Sequence, residues 1–310
     1  PNEPDKESSY IARNIAATRQ AYDLDDATVT EYDAKTTLSR EQLRTDAASL
    51  PGIRLLDPTL VSETFEQLQQ VRGYYSVRSV LDVDRYQVDG RERDLVVAAR
   101  ELHLEGLPDE QRNWTNEHTV YTHGYGMIAA YGNQRDAADQ AVANDDGEPL
   151  WAEEDIPPRG VLSGPDGDGY RPQIYFGENS PSYSIVGKPS GGKSVELDYP
   201  QGSGDGASKA TTYDGKDGVS VGSLFHKALF AVRFGEPNFL LSSRVHENSK
   251  VLFERSPRER VQKVAPWLTV DNDALPSVVD GKVVWILDGY TTTDRYPLSE
   301  KRSLRDMTSD

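Results

Sequence analysis

The chain has 310 residues, with 51 Asp plus Glu against 34 Lys plus Arg and a formal net charge of −17. The average field of such a chain repels a nucleic-acid backbone and an anionic lipid surface alike. There is no cysteine, which excludes disulfides, thiol catalysis and cysteine-ligated metal centres, and a chain of this length buries enough surface to fold without them.

Ile11, Ile15, Thr18 and Tyr22 recur at three- and four-residue spacing, which predicts an amphipathic helix over residues 8–24 with Ser8 or Ser9 as its cap. A short strand over 29–32 and a helix over 39–48 follow. Asp57-Pro58 then opens a further helix that runs to about Val71. Residues 79–88 and 94–103 alternate around Asp89-Gly90, a hairpin signal. Further strands are expected around 119–125, 150–154, 173–176 and 182–186.

Residues 188–218 are rich in Gly, Ser, Lys and Asp and predict a flexible loop or insertion. Leu224, Ala228, Leu229 and Val232 form a helical stripe within 221–234. Ser256-Pro257-Arg258-Glu259 is a capping box that introduces Val261, Val264, Ala265 and Leu268 on one face. Trp267, Leu268, Trp285 and Ile286 are expected to be buried where that helix meets a last hairpin turning at Asp280-Gly281. Helices and hairpins interleave without regular strand–helix alternation, so the fold class is mixed α+β, not a doubly wound parallel sheet. One large domain over 1–310 is expected, with lobes at about 1–105 and 106–310 as the alternative.

The string Gly187-Lys188-Pro189-Ser190-Gly191-Gly192-Lys193-Ser194 satisfies the phosphate-loop pattern. That chemistry needs a helix starting at the Lys so that its N-terminus faces the anion. The residues that follow alternate and then break at Pro200 and Gly202, so the match is read as coincidence. G-x-S-x-G does not occur, and the 51 carboxylates are too many to single out a catalytic pair.

His118 and His123 bracket a Tyr-rich segment that ends Tyr121-Thr122-His123-Gly124-Tyr125-Gly126. A spacing of five does not put two His on one helical face and puts them on opposite faces of a strand. Only a bend unites them, and Gly124 and Gly126 permit one. If the chain has a catalytic site, it should therefore include His123, with His118, Tyr121, Tyr125 and Glu117 near it. The bland reading is a buried strand with hydrogen-bonded His and Tyr. Asp166, Asp168, Asp271 and Asp273 carry oxygen ligands suited to calcium, but none completes the calcium-loop pattern with its Glu. Asp beside Gly or Asn is first of all a turn residue. No cofactor is predicted, and calcium is the one cation kept in view.

No stretch approaches the roughly 20 apolar residues of a membrane-crossing helix. The chain opens without Met or a signal-peptide pattern, so it is expected to be an excised part of a longer protein. Several segments carry a resemblance: Tyr10-Ile11-Ala12-Arg13-Asn14-Ile15, Asp82-Val83-Asp84-Arg85-Tyr86, the Tyr-Thr-His-Gly-Tyr-Gly string, Ile174-Tyr175-Phe176-Gly177-Glu178, Asn238-Phe239-Leu240-Leu241 and Ala265-Pro266-Trp267-Leu268. In order and spacing they resemble the uncharacterised protein family 0182, large membrane proteins with a long extracytoplasmic region. The resemblance covers almost the whole chain. It implies a membrane-spanning half of the same chain as partner and a location on the extracytoplasmic side of the cell membrane. It supplies no activity, cofactor or catalytic residue.

Two functional readings stand. One is a binding or scaffolding module of the cell envelope, with its ligand unknown and no nucleic-acid partner. The other is an extracytoplasmic hydrolase acting on cell-wall or glycan material.

Overall fold

The computed structural model describes residues 3–28, 39–40, 56–133, 149–164, 167–200, 208–291 and 295. The strand expected over 29–32 and nearly all of the helix over 39–48 lie outside the described residues. The chain divides into two units, Pro1–Ala48 and Ser49–Asp310. In the first, α1 (Glu3–Ala21) forms where the apolar spacing predicts a helix. Its stripe is uncovered, since every described side chain from residue 5 to 28 is exposed.

In the second unit Asp57 acts as a local cap. Its Oδ1 accepts from the Thr59 amide at 2.9 Å and the Thr59 hydroxyl at 2.7 Å. These bonds close a turn, so α2 (Ser62–Gln69) starts later than the Asp-Pro signal implies. Its Phe65 is fully buried.

The principal sheet is an antiparallel meander of five strands in sequential order. These are β1 (Asp82–Val88), β2 (Arg91–Ala99), β3 (Met127–Tyr131), β4 (Trp151–Glu154) and β5 (Arg159–Gly160). The β1–β2 turn has φ of 52° at Asp89 and 71° at Gly90, both in the left-handed region that a type I′ hairpin demands. The boundary considered between residues 105 and 106 falls inside this sheet, because β2 and β3 pair across it.

From Leu95 to Ala99 the strand is buried at every position. Alternation was expected there. The run is continuously apolar because both faces are covered. Leu95, Val97 and Ala99 pack with Met127 and Ala129, and against this core lie Leu275, Val278, Val283 and Trp285 of the last hairpin. Val96 and Ala98 pack on the other face with Ile128, Ala130 and Phe65.

Next come β6 (Tyr183–Val186), β7 (Glu196–Pro200), β8 (Ser208–Thr211), β9 (Val219–Ser220) and β10 (Lys250–Phe253). β6, β10 and β9 form one antiparallel sheet, and β7 pairs with β8. The flexible loop expected over 188–218 is thus corrected, since β7 and β8 both lie within it. Composition misled because β7 buries polar residues: Glu196 and Asp198 are nearly inaccessible. No helix follows Lys193, and the chain enters β7 in extended form. A phosphate loop lacks the N-terminus it requires there.

α3 (Leu224–Phe234) and α4 (Asn238–Leu241) form a helical hairpin, and α5 (Pro257–Val264) precedes the last strands. The Ser256 side chain makes no cap hydrogen bond, Val264 is 80% exposed, and Trp267 and Ile286 are exposed as well. Val261, Leu268 and Trp285 are only half-buried. The expected shared core is therefore absent at these positions. α5 is fastened by other means: buried Pro257, the Arg260 guanidinium 4.6 Å above the Phe176 ring, and a Lys263–Glu254 ion pair. β11 (Leu275–Val279) and β12 (Lys282–Ile286) close the fold as a hairpin. Its turn has φ of 49° at Asp280 and 71° at Gly281. The fold is mixed α+β with antiparallel pairing throughout its named strands, and not a doubly wound parallel sheet.

Candidate binding cleft

The Tyr-Thr-His-Gly-Tyr-Gly segment is interior. At Gly124 a Cβ would strike the Arg100 carbonyl and the Glu101 Cα, so only glycine lets the two backbones lie this close. Gly126 has φ of +79°, and its amide donates to the Pro172 carbonyl at 2.8 Å. His123 is buried. Its Nδ1 is 2.8 Å from the Gly124 carbonyl, while Nε2 is sealed without a hydrogen-bond partner. Burial drives its pKa down to about 4, against the Gly124 bond and the Asp198 charge, so the ring is neutral at neutral pH.

The bend does not gather the other candidates around it. His118 sits on one π-helical turn, Asn116–Val120, and stacks on the Tyr183 ring at 4.0 Å between centroids. Its Nδ1 lies 3.1 Å from the Tyr183 carbonyl, and burial lowers its pKa. The Tyr121 hydroxyl donates to Gln111 Oε1 at 3.0 Å. Tyr125 packs against Tyr199 with ring centroids 5.0 Å apart. Glu117 faces Arg112 at 3.8 Å. Of the five candidates, only Tyr125 has its ring beside that of His123, at 6.2 Å. Asp166 lies outside the described residues. Asp168, Asp271 and Asp273 are exposed, and Asp271 Oδ1 accepts the Asp273 amide at 3.2 Å, a turn contact. Among the described residues no group of three or more His, Cys, Asp or Glu is placed to hold a metal.

The segment instead supports the floor of an open cleft of about 240 Å³. The His123 ring lies 4.7 Å from that of Tyr175, and Tyr175 lines the cleft with Phe176, Tyr213 and Trp285. Arg171, Asp217 and Lys282 supply its charged groups, and Arg171 is ion-paired with Asp214. Trp285 is fixed by donating its Nε1–H to the Phe176 carbonyl at 2.8 Å.

Two buried charges hold this floor. Glu196 Oε2 accepts from the Thr122 hydroxyl at 3.0 Å and the Tyr175 hydroxyl at 3.2 Å; Oε1 accepts from the amides of Gly187 at 2.9 Å and Tyr213 at 3.0 Å. Burial raises its pKa and these donors oppose the rise. Four donors on two oxygens suit the ionised carboxylate. Arg255 donates to the Tyr175 carbonyl at 2.7 Å, Ser184 Oγ at 2.6 Å and the Thr122 carbonyl at 2.7 Å. Desolvation lowers its pKa to about 10, so it stays charged. A small second cavity touches the edge of Trp285 and is lined by Arg78, Asp82, Glu101 and Glu178. Burial pushes Asp82 and Glu101 each up to about 7. Glu101 Oε2 accepts the Asn179 amide at 2.9 Å, and Oε1 has no hydrogen-bond partner.

Sequence reasoning missed the cleft. Trp285 was expected as core, Tyr213 and Glu196 lay in the supposed loop, and Arg171 and Lys282 carried no motif. The legible signals were the Ile174-Tyr175-Phe176-Gly177-Glu178 string and the last hairpin, which carries Lys282 and Trp285.

Fold and cleft together define an antiparallel α+β protein with an open, aromatic, charge-edged cleft. The chain belongs to the Uncharacterised protein family (UPF0182), whose model matches residues 1–310. It is 52% identical over 311 residues to a UPF0182 protein of Kineococcus radiotolerans, 51% over 322 to one of a Nocardioides species, and 50% over 310 to one of Bifidobacterium adolescentis. All of this chain is covered in each, but only 29%, 31% and 27% of those relatives, so it spans about three-tenths of their length. No solved structure matches it.

Proposed function

We propose that this chain is a binding module of the cell envelope whose cleft seats one ring of a saccharide. The observation that carries the reading is the lining: Tyr175, Phe176, Tyr213 and Trp285 around an open space edged by Arg171, Lys282 and Asp217. The C–H face of a sugar ring packs on aromatic faces, while its hydroxyls take hydrogen bonds from cations and give them to carboxylates. The volume is below the roughly 300–1,000 Å³ of sites for drug-sized ligands, which suits a single ring of a longer polymer. The location proposed is the extracytoplasmic side of a membrane, beside a membrane-spanning half of the same chain. What supports it is the family resemblance, together with the 69–73% of the relatives' length lying beyond the matched segment.

Saturation-transfer NMR with N-acetylglucosamine and its β-linked trimer tests the cleft. Saturable transfer is expected, weakened about tenfold by Arg171→Ala or Tyr213→Ala, the loss for one hydrogen bond or stacking contact. No transfer up to about 10 mM, where even millimolar affinity would register, defeats the reading. Release of reducing ends in the same mixtures replaces binding by hydrolysis.

A further inference from the structure

α3 is apolar on two sides. Its inner side carries Phe230, Ala231 and Phe234, packed with Tyr183, Phe239 and Val245. The outer positions 224, 225, 228, 229, 232 and 233 follow one helical face. They read Leu, Phe, Ala, Leu, Val, Arg, and all are exposed. Leu224 is 76% exposed and Val232 84%. α4 adds Leu240 and Leu241, both exposed, from either side of the turn that buries Phe239. The stripe of Leu224, Ala228, Leu229 and Val232, legible from sequence, is thus the side turned away from the core. A helix apolar all round requires apolar cover on both sides.

We infer that this face docks on the surface of an anionic lipid bilayer. Local charge favours that occupant. Residues 223–245 carry Lys227, Arg233 and Arg244 against Glu236 alone, the reverse of the 34-to-51 balance of the whole chain. At physiological salt, charges beyond about 8 Å are largely screened. Lys227 is turned inward, its Nζ donating to the Val245 carbonyl, so Arg233 and Arg244 govern a close approach and the net charge of −17 does not. Arg233 is exposed beside Val232, where its guanidinium can reach a headgroup phosphate while Phe225, Leu229 and Val232 enter the acyl boundary.

Length sets the mode of contact. Eleven residues make a helix of about 16 Å, half the roughly 30 Å hydrocarbon core, so α3 lies along the surface and does not cross. The hairpin is also held rigid. Phe239 packs on Phe230 and Phe234 at 5.8 Å each, Phe234 lies 4.3 Å from Tyr183, and Ser223 Oγ caps the helix by accepting the His226 amide at 3.2 Å. Little ordering is left to oppose insertion. This inference is independent of the saccharide reading.

Co-sedimentation of the 310-residue chain with vesicles tests it. Vesicles of equal parts phosphatidylglycerol and phosphatidylcholine should retain the chain, and phosphatidylcholine alone should retain it less. Phe225→Ser with Val232→Ser should lower the partition by more than about tenfold, from lost burial of apolar surface. Arg233→Glu should lower it at least about fivefold, the value of one cation near an anionic leaflet. These positions are exposed, so the circular dichroism and melting temperature should not change. If the double variant is nonetheless less stable, Val232→Asp alone decides by the same criterion. Retention that is absent, or equal for wild type and variants, overturns the inference. So does a concentration-dependent dimer that the double variant abolishes, which would assign the face to a second copy.

Discussion

Glu196 joins four separate segments through two oxygens: Thr122 of the Tyr-Thr-His string, the Tyr175 floor, the Gly187 turn and the Tyr213 wall. Removing the carboxylate leaves buried donors without an acceptor, and each orphan costs about 1–3 kcal/mol. Glu196→Ala should therefore destabilise the chain by at least about 3 kcal/mol in urea denaturation, and Glu196→Gln, which retains one acceptor oxygen, by less. Glu101 behaves differently, because burial makes its neutral form the preferred one and lifts its pKa to about 7. The unfolded chain releases that proton near 4.5, so the folded state binds more protons between the two values. The stability this adds is complete below about pH 4.5 and is lost as pH rises through 7. Relative to wild type, Glu101→Gln should gain about 3 kcal/mol between pH 4.5 and 8, read from paired denaturation curves. A constant difference across that range would show that Glu101 is ionised throughout. His123 has the opposite sign. Its pKa falls to about 4, so its contribution is present above about pH 6.5 and is lost as pH drops through 4.

At the scale of elements, both Asp-Gly hairpins were legible because the turn makes a specific backbone demand. Gly90 has open space where a Cβ would stand, so Gly90→Ala isolates the strain of its φ of +71°. Thermal melts should show a loss of about 1 kcal/mol. A larger fall would reveal a packing role at the turn. The inner side of α3 makes the contrasting case: Phe239→Ala empties the centre of an aromatic cluster and should remove about 3–5 kcal/mol. Periodicity located α3 and α5 but not their buried sides, because apolar spacing marks a stripe without saying what lies opposite. In α3 the stripe of Leu224, Leu229 and Val232 faces outward while Phe230 and Phe234 anchor the helix. The β7–β8 hairpin was illegible for the converse reason. The interior position of β7 depends on hydrogen bonds to Glu196 and on Gln173 donating to Asp198 at 2.8 Å, and such partners are far apart in sequence. The cleft inherits this difficulty, since Arg171, Tyr213 and Trp285 meet only after three separate elements are in place.

For the molecule as a whole, stability is concentrated in the middle of the five-stranded sheet. Leu95–Val97 and Ala129–Ala130 have paired strands on both sides, and Leu95–Ala99 and Met127–Ala130 have cores on both faces. Their amides should open only with global unfolding, whereas α1, exposed along its described length, should exchange orders of magnitude faster. Hydrogen-exchange mass spectrometry checks the ranking, and equal protection of α1 and β2 would refute it. Burial on both faces also bears on which changes in chain length the gene can absorb. A residue inserted within β2 moves every following side chain to the opposite face. In a strand with one wet face, part of such an error can hide in solvent. Here an insertion before Val96 would move Val97 out of the core closed by the β11–β12 hairpin and into the place of Ala98, in the core closed by Phe65, where the larger side chain overpacks. Variation in length among viable descendants of this chain should therefore be barred from residues 95–99 and collect in connections whose backbone bonds to nothing across a sheet.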